Sequence, residues 1–178
     1  MGKTRKKYIR PKPGDVFEIS LPNETYAYCR LIEEPCIQIY DFISKVPNNP
    51  PIGHRDFLFQ VGVFKDILTQ QIFQRVGTDP LTGEEKINPL YVYNQIYKKY
   101  KIYEDDHFRP ATKEECIGLE CFIVWDWGSL KNRILYGSKP GDVLTKDTFF
   151  DELGNAFIEK RIKQSHVLHH LNLKVNLL

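Results

Sequence analysis

The first third of the chain alternates apolar and polar residues in short segments that turn-forming residues separate. Residues 16–21, 26–32 and 36–42 combine this period of two with β-branched and aromatic side chains, which predicts three strands. Residues 22–24 have the composition of a short turn between the first two strands. Because sequential strands joined by short turns usually pair with their neighbours, we expect an antiparallel meander.

Proline, asparagine and glycine interrupt this pattern in the middle of the chain. Residues 45–55 and 78–89 are rich in turn formers, so both are predicted to be loops. Between them, residues 57–64 predict a fourth strand, whereas residues 65–73 suit either a short helix or an extended edge. Residues 91–103 combine a helical spacing of tyrosines with strand-favouring residue types, and we expect strand-like structure there.

Short helices are indicated in the second half of the chain. Thr112 and Glu115 have the spacing of a capping box, which predicts a short helix directly after the threonine. Ser129 is placed to cap a second short helix over residues 130–135. Between these two helices, residues 121–125 have the composition of a buried strand.

The carboxyl-terminal segment has the longest helical pattern. Residues 155–171 place apolar side chains near one helical face and predict the longest helix, with residues 172–178 as a short strand after it. The elements together predict an α+β fold with an antiparallel β-sheet or partly open barrel, short helices and a longer C-terminal helix. We expect a basic amino-terminal arm over residues 1–11 and a single domain over residues 12–178.

The composition excludes two classes of protein and raises one question. With 178 residues, 42% of them hydrophobic, and a formal net charge of +2, the chain is too apolar and too weakly charged to be disordered. No apolar run approaches the roughly 18 residues of a membrane span, so no membrane partner is expected. The chain has 11 Phe, 10 Tyr and 2 Trp, and such large rings serve either a core or a binding surface.

Most of the rings fall on predicted strands and suit a β-rich core. The rings assigned to this core are Phe17, Tyr40, Phe42, Phe59, Phe122 and Trp125. The surplus lies in residues 91–103, which acidic residues follow, and at Trp127 just after the predicted buried strand. The predicted partner-binding surface therefore consists of Tyr93, Tyr97, Tyr100, Tyr103, Asp105, Asp106 and Trp127.

Basic residues are concentrated at the amino terminus, where residues 3–12 hold six lysines and arginines. This arm is expected to be a solvated terminus, and contact with phosphates or with an acidic partner is the alternative. Pro11 and Pro13 follow the basic residues without an apolar segment, so we expect no signal peptide and predict a cytoplasmic location.

Histidines near the end of the predicted long helix are the most enzyme-like group. His166 and His170 are four residues apart and would share a helical face, with His169 beside them. The glutamate of the metalloprotease motif is missing, and the dipole at a helix carboxyl end also favours histidine without a metal. Residues 104–107 could likewise bind a hard metal, but a polar turn has the same composition.

The cysteines do not have the spacing of zinc or redox motifs, and we expect reduced, mostly buried thiols. A zinc site made from both pairs remains an alternative. The four are Cys29, Cys36, Cys116 and Cys121. Since no spacing assembles a catalytic group, we predict no catalytic residue, no metal and no cofactor.

Two blocks of sequence resemble a known family. The first is Lys-Pro-Gly-Asp-Val-Phe-Glu-Ile-Ser-Leu-Pro at residues 12–22, followed by Tyr-Ala-Tyr-Cys-Arg-Leu at residues 26–31. The second is Arg-Pro-Ala-Thr-Lys-Glu-Glu-Cys-Ile-Gly-Leu-Glu at residues 109–120, followed by Val-Trp-Asp. In this order the blocks resemble the immunity protein 26 family, also labelled HocA-like, over roughly residues 12–135. Cys29 departs from this pattern, because many relatives have glycine there.

Several residues of these blocks are polar or conformationally special and stand at the ends of elements. We expect them to fix turns and caps, with the tryptophan in the core. This structural motif consists of Gly14, Asp15, Arg109, Pro110, Thr112, Glu115 and Trp125.

The resemblance implies an immunity protein, or antitoxin, of bacterial polymorphic toxin or contact-dependent inhibition systems. Such a protein binds a cognate toxin domain and blocks it, so the leading hypothesis is a non-enzymatic inhibitor that acts by occlusion. Part of the family carries an organophosphate-hydrolase label, which makes a small metal-dependent hydrolase, phosphotriesterase-like, one alternative. Nucleic-acid binding through the basic arm is the other alternative, and the oligomeric state is left open.

Overall fold

The structure is a computed structural model that describes residues 10–69 and 72–158. Its secondary structure is mostly β-sheet, and the predicted α+β class is confirmed. In chain order the described elements are β1 (Asp15–Leu21), β2 (Thr25–Glu33), β3 (Cys36–Ser44), β4 (Phe57–Val63), α1 (Lys65–Thr69), β5 (Gln74–Thr78), β6 (Leu90–Asn94), β7 (Lys99–Glu104), β8 (His107–Ala111), α2 (Lys113–Cys116), β9 (Glu120–Cys121), β10 (Val124–Trp125), α3 (Trp127–Tyr136), β11 (Thr148–Phe150) and β12 (Ala156–Ile158).

The described residues group into two compact units. The first unit contains residues 10–87 and 124–127, and the second contains residues 88–123 and 128–158. A single domain over residues 12–178 stays a prediction. No helix within the described residues is both long enough and apolar enough to cross a membrane.

The first unit is built on a six-stranded open sheet in the order β10–β4–β3–β2–β1–β5. Neighbouring strands are antiparallel, except that β10 runs parallel to β4. The predicted meander and fourth strand are therefore confirmed, and α1 resolves the choice between helix and edge for the residues that follow. Strand β5 was not predicted from the sequence, because Gln74–Thr78 has only one large apolar residue.

Both faces of this sheet are buried, but they differ in chemistry. Residues paired across strands share a face, and the pairs Phe17–Cys29 and Cys29–Ile39 lie on an apolar one. The pairs Val16–Arg30 and Glu18–Tyr28 lie on the opposite face, which is also buried although it carries charged residues. We refer to it as the polar face.

The second unit contains a four-stranded open sheet in the order β8–β7–β6–β9 and a separate β11–β12 hairpin. Strands β6 to β8 are antiparallel, and β9 runs parallel to β6. The strand-like structure expected for residues 91–103 is thus confirmed. One face of this sheet, called the inner face here, holds a buried cluster of Tyr91, Ile102, Cys116 and Leu144.

Helix α2 begins as its sequence predicts. The amide of Glu115 donates to Oγ1 of Thr112 at 3.3 Å, and the amide of Thr112 donates to Oε2 of Glu115 at 2.8 Å. These two bonds complete the capping box and satisfy two amides that the helix leaves unpaired. Helix α3 begins at Trp127, two residues before the predicted cap Ser129, so that boundary was wrong.

The pentapeptide Lys-Pro-Gly-Asp-Val occurs twice and forms the same turn both times. The amide of Lys12 donates to Oδ2 of Asp15 at 3.0 Å, and Lys139 makes the same bond to Asp142 at 2.6 Å. The intervening glycines have φ angles of 86° and 90°. Both turns need glycine because L side chains rarely adopt this left-handed backbone conformation.

The predicted buried strand over residues 121–125 is wrong. Its residues divide between β9 in one sheet and β10 in the other, and Phe122 and Ile123 between them are exposed. Trp125 is buried as expected, whereas the assignment of Phe122 to the core is incorrect. An apolar run indicates burial only on average, and it cannot distinguish a core strand from a segment that connects two sheets.

The start of the predicted C-terminal helix is also wrong, because residues 156–158 form β12. Asp151 initiates a turn before this strand: its Oδ1 accepts hydrogen bonds from the amides of Leu153 at 3.0 Å and Asn155 at 2.8 Å. This turn overrides the helical spacing of the apolar residues that follow it. The rest of the predicted helix, including His166, His169 and His170, lies outside the described residues, as does the predicted strand 172–178.

Candidate partner interface

The outer face of the second sheet carries a cluster of three aromatic rings, called the aromatic platform here: Tyr103, Phe108 and Phe122. The ring centroids of Tyr103 lie 5.0 Å from Phe108 and 4.9 Å from Phe122, and the latter two are 5.3 Å apart. Phe108 is 48% exposed and Phe122 is 40% exposed. Rings that contact one another and still face solvent are typical of a recognition surface.

The strand pairing explains why these rings gather outside the core. Ile102 faces the inner cluster, so the next residue along β7, Tyr103, faces outward. Tyr103 pairs with Phe108 across β7 and β8 and with Leu90 across β7 and β6, which forms an apolar row over three strands. Phe122 joins this row from the end of β9, where its amide donates to the carbonyl of Tyr91 at 2.8 Å.

A tight acidic turn borders the aromatic platform. Asp105 and Asp106 link β7 to β8 with φ angles of 46° and 61°, the left-handed pair that two-residue hairpin turns require. The phenol of Tyr103 donates to Oδ1 of Asp106 at 3.0 Å, so one carboxylate fixes the orientation of a platform ring. We call Asp105 and Asp106 the acidic turn.

The other charges near this turn are paired with each other. Arg109 binds Glu115 at 2.9 Å and Glu104 at 3.6 Å. The hydrogen bond from the amide of Thr112 and, to a smaller extent, the one from Arg109 lower the pKa of Glu115. Within the described part of the chain, neither carboxylate of the acidic turn has a cationic side chain at ion-pair distance. The turn therefore presents net negative charge next to exposed rings.

The structure brings only part of the predicted partner-binding surface together. Tyr103, Asp105 and Asp106 meet at the outer face. Tyr93 and Tyr100 instead pair across the inner face with ring centroids 4.9 Å apart, and Phe150 stacks on the ring of Tyr93 at 4.4 Å.

The two remaining predicted residues lie elsewhere. Tyr97 is in the β6–β7 turn and is 71% exposed. Trp127 is half-buried in the first unit, where its ring packs edge-on against Phe73 at 5.2 Å. Sequence reasoning missed Phe108 and Phe122 as surface residues. The available signal was the Tyr-Glu-Asp-Asp-His-Phe hairpin, whose turn residues put Tyr103 and Phe108 opposite each other.

A buried charge cluster on the polar face of the first sheet was also not predicted. Arg30 is 1% exposed and Asp79 is 2% exposed, and they form an ion pair at 3.5 Å. Oδ2 of Asp79 also accepts hydrogen bonds from the hydroxyl of Tyr40 at 2.7 Å and from Arg55 at 2.9 Å. Arg30 further contacts Glu85 at 3.2 Å, so two carboxylates of one loop are bound to the sheet.

The cluster balances its own charges. Burial alone would raise the pKa of Asp79, but the hydrogen bonds from Tyr40 and Arg55 and the charge of Arg30 outweigh burial and lower it. Burial and the adjacent carboxylate raise the pKa of Tyr40. An ionised carboxylate bound by two guanidinium groups and a neutral phenol suits a structural clamp on the loop rather than acid–base chemistry.

The cysteines of the described chain are free thiols. Cys29 and Cys116 are buried, whereas Cys36 and Cys121 are half-buried, and burial raises the pKa of all four thiols. Among residues 10–69 and 72–158, no group of three histidine, cysteine, aspartate or glutamate side chains is arranged to hold a metal ion.

Comparison with known proteins identifies the family. The sequence model of the family described as Immunity protein 26 matches residues 12–102. This range contains the first sequence block and the strands β1 to β6, and it ends within β7, before the second block. Comparisons with curated proteins and with solved structures found no match. Because the match covers more than half of the 178 residues, the chain belongs to the immunity protein 26 family.

Proposed function

We propose that this protein is an immunity protein that binds a cognate bacterial toxin domain in the cytoplasm and neutralises it by occlusion. The observation that carries the proposal is membership of the immunity protein 26 family over residues 12–102. The exposed aromatic platform beside the acidic turn supports it, because an inhibitor of this kind needs a surface suited to tight protein contact.

The buried chemistry of the described residues is consistent with binding rather than catalysis. In the first unit, Arg30 forms ion pairs with Asp79 and Glu85, and these pairs hold a loop in place. The proposal therefore assigns the protein no chemical step, and its effect on the toxin is steric.

Co-expression tests this function directly. The toxin domain encoded beside the gene for this protein is expressed in a bacterial host with and without the full chain. We expect the toxin alone to stop growth, co-expression to restore it, and the two proteins to purify together. Loss of growth despite co-expression, together with no co-purification, would contradict the proposal.

A matched control separates inhibition from lower toxin synthesis. The same toxin domain, inactivated in its catalytic site, is co-expressed with the tagged chain and its amount is measured. An inhibitor that acts by occlusion binds the inactive toxin as well, because the contact surface is unchanged. Equal toxin levels with and without the chain complete the control.

A further inference from the structure

We propose that the aromatic platform and the acidic turn form the toxin-docking surface, and that the surface fits a basic protein segment with an apolar anchor. This inference rests on the proposed function and adds to it the face of the molecule and the chemistry of the partner. Its residues are Tyr103, Phe108 and Phe122 with Asp105 and Asp106.

The apolar part of the surface is ready to bind without rearrangement. Its three rings already contact one another at 4.9 to 5.3 Å, and the hydroxyl of Tyr103 is held by Asp106 at 3.0 Å. Aromatic side chains have few rotatable bonds, so docking on fixed rings costs little conformational entropy. An aliphatic or aromatic anchor of the partner would exclude water from rings that are now 40% to 48% exposed.

The sheet edges favour docking on the face over addition of a strand. Strand β8 is the edge of this sheet, but Pro110 within it has no amide hydrogen to donate to a partner strand. The opposite edge, β9, has only two residues. A short strand and a proline-containing strand are poor templates for backbone pairing, so side-chain contacts on the outer face are the better mode.

The negative charge of the acidic turn favours a positively charged partner segment. Asp105 and Asp106 have no cationic side chain at ion-pair distance within the described residues, whereas the neighbouring Glu104 and Glu115 are bound by Arg109. Lysine or arginine residues of a partner can therefore approach the two aspartates without breaking an existing ion pair. Complementary charge would raise the association rate and orient the complex.

Charge is also distributed unevenly along the outer face. Lys101 lies two residues before Tyr103 on β7 and is exposed, so the positive end of the face is opposite the acidic turn. A basic partner segment is repelled by the lysine end and attracted to the turn. This asymmetry places the cationic groups of the partner over Asp105 and Asp106 and its apolar anchor on Phe108 and Phe122.

The first test removes the apolar contact. The probe is the toxin domain encoded beside the gene, inactivated in its catalytic site. We compare its Kd for the unaltered chain, for Phe108→Ala combined with Phe122→Ala, and for the control Phe64→Ala. Phe64 is 52% exposed and belongs to the first unit, so it matches the exposure of Phe108 without being a platform residue. We expect the double variant to bind at least about thirtyfold more weakly and the control to change Kd by less than about threefold.

The second test removes the charge and keeps the turn. Asparagine adopts left-handed backbone conformations as readily as aspartate, so Asp105→Asn with Asp106→Asn retains the hairpin. We expect the association rate at low salt to fall about tenfold and its dependence on salt to flatten. Glu152→Gln, at an exposed site of another turn, serves as the charge control and should leave the rate unchanged.

The outcomes separate the surface from the function. If the unaltered chain binds and rescues growth but the platform and turn variants bind equally well, the surface is wrong and the proposed function stands. If the unaltered chain neither binds nor rescues, both proposals are overturned. Circular dichroism and unfolding midpoints verify that each variant is folded. Should the double alanine variant fail to fold, the single exposed change Phe108→Ser and the aspartate pair decide the question.

Discussion

The hydroxyl of Tyr40 donates a 2.7 Å hydrogen bond to Oδ2 of Asp79, a residue that follows 39 positions later in the chain. Tyr40 lies on β3, and Asp79 begins the loop after β5. Since Arg30 and Arg55 bind the same carboxylate oxygen, the aspartate connects two strands and two loops of the first unit. Asp79 is therefore a main attachment of the loop after β5, together with Glu85.

Removal of the Tyr40 hydroxyl should destabilise the first unit measurably. Tyr40→Phe keeps the ring but leaves the buried Asp79 with one donor fewer, and we expect a loss of about 1–3 kcal/mol in the free energy of unfolding. Urea denaturation monitored by fluorescence measures it. Tyr136→Phe, at a solvent-exposed site, is the control and should change stability by less than about 0.5 kcal/mol. Equal stability of the two variants would contradict a stabilising role for the hydrogen bond from Tyr40 to Asp79.

The lowered pKa of Asp79 makes the stability of the first unit depend on pH. The pKa is lower in the folded than in the unfolded chain, where it is about 3.9, so the ionised group stabilises the fold above about pH 4. This contribution is lost as the pH falls through the folded-state pKa. Asp79→Asn should cost about 3–5 kcal/mol near pH 7, because it removes the carboxylate that Arg30 and Arg55 share and leaves buried Arg30 with Glu85 alone.

The difference between Asp79→Asn and the unaltered protein should shrink as the pH falls below about 4, because Asp79 takes up a proton more readily in the unfolded than in the folded chain. Urea denaturation at several pH values between 3 and 7 measures this difference. Asp147→Asn, at an exposed site, should have the same free energy of unfolding as the unaltered protein at each pH. A constant difference over this range would show that charge on Asp79 is not what stabilises the loop.

Local patterns predicted much of the fold because local chemistry decides those elements. The alternation in residues 16–42 and the capping box at Thr112 correspond to β1–β3 and α2. The prediction of a buried strand over residues 121–125 was wrong for the opposite reason, because distant contacts decide its structure. The division of this apolar run between two sheets depends on pairing with Tyr91 and Gly62, which are distant in sequence.

The candidate site was predicted only in part, because some of its contacts are local in sequence and others are not. Tyr103 and the acidic turn were recognisable, because aromatic and turn-forming residues adjoin there. Phe122 was not, since its contact with Phe108 requires β9 to pair with β6. The ion pair of Arg30 with Asp79 could not be foreseen either, because a charged residue in a strand normally indicates the solvent side.

Two glycines with left-handed φ angles, Gly83 and Gly141 of the second Lys-Pro-Gly-Asp-Val turn, allow backbone strain to be separated from steric clash. Gly83, with φ of 88°, has open space where a Cβ would be added, so Gly83→Ala should cost only the strain, about 1–2 kcal/mol. At Gly141 the added Cβ would also overlap the Cβ of Ala156. We therefore expect Gly141→Ala to cost at least about 1 kcal/mol more than Gly83→Ala. Urea denaturation of both variants checks the order, and a smaller loss for Gly141→Ala would contradict the geometry of this turn.

The capping box should contribute to the stability of the second unit. Thr112→Ala removes the acceptor for the Glu115 amide, and we expect a loss of about 0.5–2 kcal/mol. Ser138→Ala removes an exposed hydroxyl outside any helix and provides the matched control. Thermal unfolding of both variants measures the effect. Equal midpoints would mean that α2 is held by other contacts.

Tyr93 and Tyr97, both predicted from sequence to bind a partner, should behave differently. Tyr93 packs between Tyr100 and Phe150, so Tyr93→Ala should lower the free energy of unfolding by about 2–3 kcal/mol. Tyr97 is 71% exposed, and Tyr97→Ala should change it by less than about 0.5 kcal/mol. Urea denaturation separates the two, and an unchanged stability of Tyr93→Ala would contradict its place in the inner cluster. Because the β6–β7 turn lies away from the acidic turn, Tyr97→Ala should also leave the Kd for the toxin unchanged. A higher Kd would extend the docking surface to that end of the sheet.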